Sequence, residues 1–257
     1  MGDRARKVIS IVNATVVLLI LVGCFHHEHL LSSSQEKRLS AKERHLVDKF
    51  HKLWHSRNQN TWRENKWLGV QTLQNPMDTW ITQEIIVETK PDFIIETGTF
   101  YGGSALVWAM ILQQVNPNGR VITVDIEDHT QEVEKLPLWK EKVDFILGSS
   151  VAPEVIGAVR KKVEGKKVMI LLDSDHHKDH VLKELLAYSP FVQVGGYIIV
   201  QDTNLSGHPV HQVTWSGPGP MEAVEEFLAL DRHFEPDEER ERLLLTFCPR
   251  GFLKRVN

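Results

Sequence analysis

Two stretches of this chain combine residue types and spacings that could do chemistry. The first is IIETGTFYGGS, residues 94–104. An apolar run carries an acid, Glu96, then Gly98, Gly102 and Gly103, and Ser104 opens an apolar helical segment. The second is DSDHHKDH, residues 173–180, followed by Gln201-Asp202 at the end of another apolar run. Carboxylates on adjacent strand ends can hold a hard divalent cation through oxygen, and magnesium needs only one or two of them. Asp173 or Asp175 together with Asp202 would suffice, and the residues alone leave the choice open. Helix capping by Asp173, Ser174 or Asp175 is the competing reading.

The glycine stretch excludes some cofactors. A phosphate-cradling loop needs G-x-x-x-x-G-K-[ST]. Gly98, Gly103 and Ser104 satisfy the gap, but the lysine is missing. A dinucleotide fingerprint needs a glycine where Phe100 stands, so that the backbone can approach a pyrophosphate. The pattern E-x-G-x-x-x-G-G instead suits a cofactor without phosphate. Glu96 could pair with a cationic amino-acid group. Asp125 ends the next apolar run, where a carboxylate can accept both hydroxyls of a ribose. Amino acid, sulfonium and ribose together describe S-adenosylmethionine. The alternative is that the glycines merely make a tight strand-to-helix turn.

The histidines add a second chemistry. His176 and His177 could act as a general base or as zinc ligands. Residues 175–180 miss the H-x-H-x-D-H pattern of zinc-dependent hydrolases by one position, because Asp175 stands in the first histidine place. A metal-dependent hydrolase using this Asp/His block is therefore a rival reading, and a non-catalytic binding protein is another.

These residues must be positioned by regular elements. Apolar, β-branched strands are expected over 92–97, 120–125, 143–148, 167–173 and 195–202. Helices are expected over 104–115, 151–163 and 178–188 between them, with further helices over 41–57, 77–89 and 221–230. Short strands buried on both faces and alternating with helices predict an α/β fold, a doubly wound, mostly parallel sheet. Ligands of such sheets bind beyond the carboxyl ends of the strands, where every motif above falls. The tail, 233–256, reads as two closing antiparallel strands around a charged turn. Residues 203–220, rich in Gly, Pro and His, read as a lid, with Trp215 as a stacking surface and His208 and His211 near substrate.

The bulk numbers fit one such domain. The chain has 257 residues with a net charge of −4 and no basic stripe interleaved with aromatics, which argues against nucleic acid. Its two cysteines, Cys24 and Cys248, imply no disulfide framework. The N-terminus is the exception: 18 uncharged residues from Val8 to Phe25 follow Arg4, Arg6 and Lys7. That length predicts a single-pass membrane anchor. The alternatives are a cleaved signal peptide or a lipoprotein signal at Leu21–Cys24, giving a secreted or lipid-anchored product. The expected organisation is an anchor over 1–31, a linker and amphipathic helix over 32–60, and the α/β domain over 61–257. The positive-inside rule would put that domain opposite the cytosol, where S-adenosylmethionine is made, so the side is left open.

ETGTFYGGS, VDIED, LLDSDHHKDH, GGYIIVQDTN and RGFLKR together resemble the cephalosporin hydroxylase / rhamnosyl O-methyltransferase family over about residues 60–257. The resemblance implies a class I S-adenosylmethionine-dependent methyltransferase fold with a magnesium site. It implies a cofactor loop of Glu96, Gly98, Tyr101, Gly102 and Ser104, with Asp125 on the ribose and Ser149 near the adenine. It implies a metal surrounded by Asp173 or Asp175 with Gln201 and Asp202; on the residues' own chemistry, His176 or His177 is the expected proton acceptor. The family tends to carry an acid where this chain has Gln201, which offers a carbonyl oxygen but no charge. An O-methyltransferase acting on a small-molecule, sugar or lipid-linked hydroxyl is the expected function, in lipid or natural-product biosynthesis. A homo-oligomer is compatible with it.

Overall fold

The computed structural model describes residues 39–211 and 217–257. The anchor expected at Val8–Phe25 and the stacking surface expected at Trp215 lie outside the described residues. No helix among the described residues is long and apolar enough to cross a membrane. A compact unit runs from Asp48 to Asn257.

In chain order the elements are α1 (Ala41–Ser56), the short β1 (Lys66–Trp67) and β2 (Val70–Gln71), α2 (Pro76–Thr89), β3 (Phe93–Thr97) and α3 (Gly103–Val115). Then come β4 (Arg120–Asp125), α4 (Pro137–Lys142), β5 (Val143–Leu147), α5 (Pro153–Val163), β6 (Val168–Leu172) and α6 (Lys178–Tyr188). Last come β7 (Tyr197–Val200), α7 (Pro220–Leu230), β8 (Phe234–Pro236) and β9 (Phe252–Arg255). β1 and β2 form a separate small antiparallel pair, and the other seven strands form one sheet in the order β5-β4-β3-β6-β7-β9-β8. β3 to β7 run parallel, and β9 inserts antiparallel between β7 and β8.

The strands form because their residues suit burial on both faces. Ile94, Val121 and Met169 belong to the core shared with α2, α3 and α4; Ile95, Ile122 and Ile170 belong to the core shared with α5, α6 and α7. This two-sided burial removes the alternation that a half-exposed strand would show.

Register then fixes the site. Thr97 pairs with both Val124 and Leu172, Leu172 with Val200, and Asp125 with Leu147. The ladder continues one residue further, with the amides of Gly98, Gly148, Asp173 and Gln201 donating to Val124, Asp125, Thr97 and Leu172. The glycine loop, Asp125, Gly148, Asp173 and Gln201-Asp202 thus leave the sheet along one edge.

Two expectations need correction. The amphipathic helix expected here is present as α1, but its docking residue is unexpected: Phe50 and Leu53 are exposed, Trp54 is half-buried, and the buried residue is His51. The reason is a specific partner. The His51 ring stacks on Phe247 and its Nε2 accepts from the Asn204 amide at 2.9 Å. Strand 195–202 is shorter than expected, because Gln201 and Asp202 already turn, Asp202 with a φ of 58°. The closing strands of the tail are present as β8 and β9.

Gly98 has a φ of +85°, and a Cβ there would be driven into the carbonyl of Asp173. Gly98→Ala should therefore cost about 3 kcal/mol, left-handed strain plus overpacking. Gly165 has a φ of +71° and open space around it. Gly165→Ala should cost only about 1 kcal/mol. Urea unfolding of both variants checks this, and equal losses would remove the close approach as the cause.

Candidate active site

Beyond that sheet edge lies a cleft of about 650 Å³. Its lining includes Gly98, Tyr101, Ser104, Asp125 and Ser149 on one side and Asp173, Asp175, His176 and Asp202 on the other. Glu96, Gly102, His177 and Gln201 do not line it.

Glu96 is 1% exposed and is a brace, not the expected partner of a cofactor amino group. It shares the sheet face of Ile94, under α3. There its two oxygens accept from Trp108 Nε1 at 2.9 Å and Thr123 Oγ1 at 2.8 Å. Burial pushes its carboxyl up to about 7 against the hydrogen bonds of Ser104, Thr123 and Trp108. Gly102 starts α3 in a left-handed conformation, φ +78°, with the Trp139 ring where a Cβ would go, 2.6 Å away. The loop glycines thus let the turn close against the protein's own chain.

Asp125 fastens the same loop from the other side. Its Oδ2 accepts from the amides of Thr99 and Phe100 at 2.9 and 2.8 Å, and Oδ1 from the Glu127 amide at 3.2 Å. Tyr101 packs on Phe100 with ring centroids 4.0 Å apart. Ser104 sits in the first turn of α3, and Ser149 follows Gly148 at the end of β5.

Across the cleft, ligand atoms of Asp173, His176 and Asp202 all lie within 4.8 Å of one another. His176 Nε2 is 2.9 Å from Asp202 Oδ2. Asp173 is pushed well above the usual carboxylate range by burial, and then by the charge of Asp202. Burial alone would lower His176, but the charge and hydrogen bond of Asp202 outweigh it and push it up to about 9. A desolvated carboxylate facing a second one beside an imidazole fits a divalent cation, whose charge would relieve the repulsion.

The ladder separates Asp173 from Asp175. Asp173 is the strand-end residue. Asp175, two residues on, turns outward, where its Oδ1 accepts from the backbone amide of His177 at 2.9 Å and pairs with its ring. Asp175 and His177 thus make the turn into α6 and stay out of the cluster. Gln201 also departs from expectation. Its Nε2 donates to Gln74 Oε1 at 3.3 Å, and its Oε1 accepts from Cys248 Sγ at 3.0 Å. Gln74 in turn donates to Asp173 Oδ2 at 2.9 Å. A neutral amide suits this relay, and it keeps Gln201 behind the cluster instead of in it.

Sequence reasoning missed Gln74, which precedes α2 in an irregular stretch with no periodicity to mark it. His180, read from sequence only as the end of the zinc-like block, lines the cleft beside Ser150 Oγ at 3.1 Å and the buried Glu184 at 3.5 Å. His208, expected near substrate, pairs with Glu222 of α7 at 2.8 Å.

Fold and site together define a methyltransferase-like α/β domain. The family described as rhamnosyl O-methyltransferase/CmcI matches residues 59–256, and the chain belongs to it. It is 34% identical to the rhamnosyl O-methyltransferase of Mycobacterium tuberculosis (strain H37Rv) over 99% of this chain and 100% of that protein. It is 34% identical to that of Mycobacterium leprae over 82% of this chain and 90% of the relative. A solved structure of CmcI with Mg and SAM superposes with a TM-score of 0.57 at 17% identity, covering 76% of this chain and 78% of that one. Apo CmcI gives 0.56 at 16% identity, covering 76% and 77%. These structural likenesses carry the fold.

Glu96 gives a pH-dependent test. A carboxyl raised from 4.5 to about 7 on folding favours the folded state below 4.5 and loses that contribution as pH rises through 7. Glu96→Gln keeps an acceptor for Trp108, and the Thr123 hydroxyl can turn to accept from the new amide. The wild type should lose stability relative to this variant between about pH 4.5 and 7. Thermal melts of both proteins across that range check it, and parallel profiles would contradict it.

Proposed function

We propose that this chain transfers a methyl group from S-adenosylmethionine to a hydroxyl of a sugar-bearing substrate, with help from a divalent cation. The observation that carries the reading is the opposition, across one cleft, of a ribose-type acid at Asp125 and a carboxylate pair at Asp173 and Asp202. Family membership makes the chain a S-adenosylmethionine-dependent methyltransferase, and the names of its mycobacterial relatives favour a rhamnosyl hydroxyl as acceptor.

S-adenosylmethionine supplies an electrophilic methyl on a sulfonium, and a divalent cation supplies charge that lowers the pKa of a bound hydroxyl. The chain's residues do the rest. Asp125 offers its carboxylate to ribose hydroxyls while holding the loop of Thr99 and Phe100. Tyr101, Ser104 and Ser149 line the same side. Asp173 and Asp202 would hold the cation, and Gln74 fixes one oxygen of Asp173. Held this way, methyl donor and acceptor meet across the cleft, and positioning carries most of the rate.

The hydrolase reading loses support from the same geometry. Of its histidines, His177 pairs with Asp175 and His180 neighbours Glu184, away from the cluster. The N-terminal apolar segment fits an anchor that keeps the domain near lipid-linked acceptors, a role proposed from sequence alone.

Calorimetric titration of the purified full chain with S-adenosylhomocysteine tests the cofactor side. Micromolar binding is expected, weakened about tenfold or more in Asp125→Ala. Asp202→Asn should retain that binding and lose methylation of a rhamnosyl acceptor. Absence of binding by the wild type would overturn the reading.

A further inference from the structure

The expected third metal ligand, Gln201, is committed elsewhere. Its amide nitrogen donates to Gln74 and its carbonyl accepts from the Cys248 thiol. The group that stands beside Asp202 in its place is an imidazole. His176 Nε2 lies 2.9 Å from Asp202 Oδ2, and both belong to the cluster with Asp173. Neighbouring ligands on an octahedral ion with bonds of about 2.1 Å sit about 3.0 Å apart, so this spacing suits two ligands of one metal.

We propose that His176 is a metal ligand and that the site, two carboxylates and one imidazole, takes a borderline first-row ion such as Mn2+ in preference to Mg2+. The proposal rests on reading the cleft as a cation-assisted methyltransferase site and goes beyond it in naming the ligand set and the metal class. Three considerations carry it. Mg2+ is held through oxygen donors and keeps several waters, so the two carboxylates alone would serve it and the imidazole would be superfluous. An imidazole nitrogen adds little for Mg2+ but raises affinity along the first-row series. The third consideration is local geometry. The turn made by Asp175 and the His177 amide fixes the backbone just after His176, so its ring is delivered by the same strand end that delivers Asp173. The ring is 23% exposed, which leaves it reachable from the cleft. In this assignment His176 is a ligand and not the proton acceptor expected from sequence.

The test uses the metal-stripped full chain with no cofactor. Free Mn2+ is followed by electron paramagnetic resonance, with Mg2+ as competitor, and bound Mn2+ by spin-echo modulation. The wild type should bind Mn2+ about 100-fold more tightly than Mg2+ and show nitrogen modulation from a coordinated imidazole. His176→Ala should lose the modulation and weaken Mn2+ about tenfold or more while changing Mg2+ affinity little. Gln201→Glu, by contrast, should leave the modulation in place. His176→Gln stands in should the alanine variant fail to fold. Absence of nitrogen modulation in the wild type, or an unchanged Mn2+/Mg2+ ratio in the His176 variants, would overturn the proposal. S-adenosylhomocysteine titration of the same samples keeps the two readings apart. Binding with no metal preference defeats the ligand assignment alone, whereas wild-type protein that binds metal but no cofactor defeats the methyltransferase reading.

Discussion

Two carboxylates that repel each other are held together at the ends of adjacent parallel strands, and much of the architecture serves that juxtaposition. Burial and the charge of Asp202 both disfavour an ionised Asp173. Register brings the pair close: Leu172 pairs with Val200, so Asp173 and Gln201 leave the sheet side by side and Asp202 follows. Asp202 then takes a left-handed turn, a conformation that aspartate tolerates better than most residues. Strain of that kind persists where the surrounding structure over-determines it. Here the surroundings include the start of α2. Asn75 caps that helix, and Asp78 accepts from Asn75 Nδ2 and from the Phe247 amide, which ties the C-terminal segment to it. Gln74 and Cys248, the two ends of the amide relay behind Asp173, are placed by this one tie.

The glycine loop belongs to the same construction. Gly98 sits directly on the backbone of Asp173, and Asp125 holds the next two amides of the loop. The loop, the acid of β4 and the carboxylate of β6 are therefore one mechanical unit. A shift of either side of the cleft would have to move the other. This coupling suits a reaction in which the distance between two bound partners sets the rate.

Much of this was legible in the sequence, for physical reasons that also explain the failures. The five parallel strands are readable because two-sided burial demands β-branched, apolar runs. Asp125, Asp173 and Asp202 are readable because polar residues that end such runs must leave the sheet at one edge. Glu96 misled because its position on the strand was known but the face it shares with Ile94 was not, and that face leads to Trp108 under α3. Helix α1 was legible as an amphipathic helix, but apolar spacing says which residues share a face, not which residue docks. A single hydrogen bond from Asn204 and a stack on Phe247 turned His51 inward. Gln74 gave no signal, since a lone amide in an irregular stretch acquires meaning only from the residue 99 positions away that it touches.

The exchange of an acid for Gln201 follows from the same balance of charge. A third carboxylate beside Asp173 and Asp202 would deepen a repulsion that burial has already made costly. It would also face the carbonyl of Gln74, acceptor against acceptor. The amide removes both conflicts and donates where a carboxylate could not. The cluster then needs a group that can face Asp202 with or without a cation. An imidazole does this in either case. Protonated, His176 pairs with Asp202 at 2.9 Å; deprotonated, it presents a lone pair at the same place. With His176 as the proposed ligand, an arriving ion would find the ring and Asp202 already side by side.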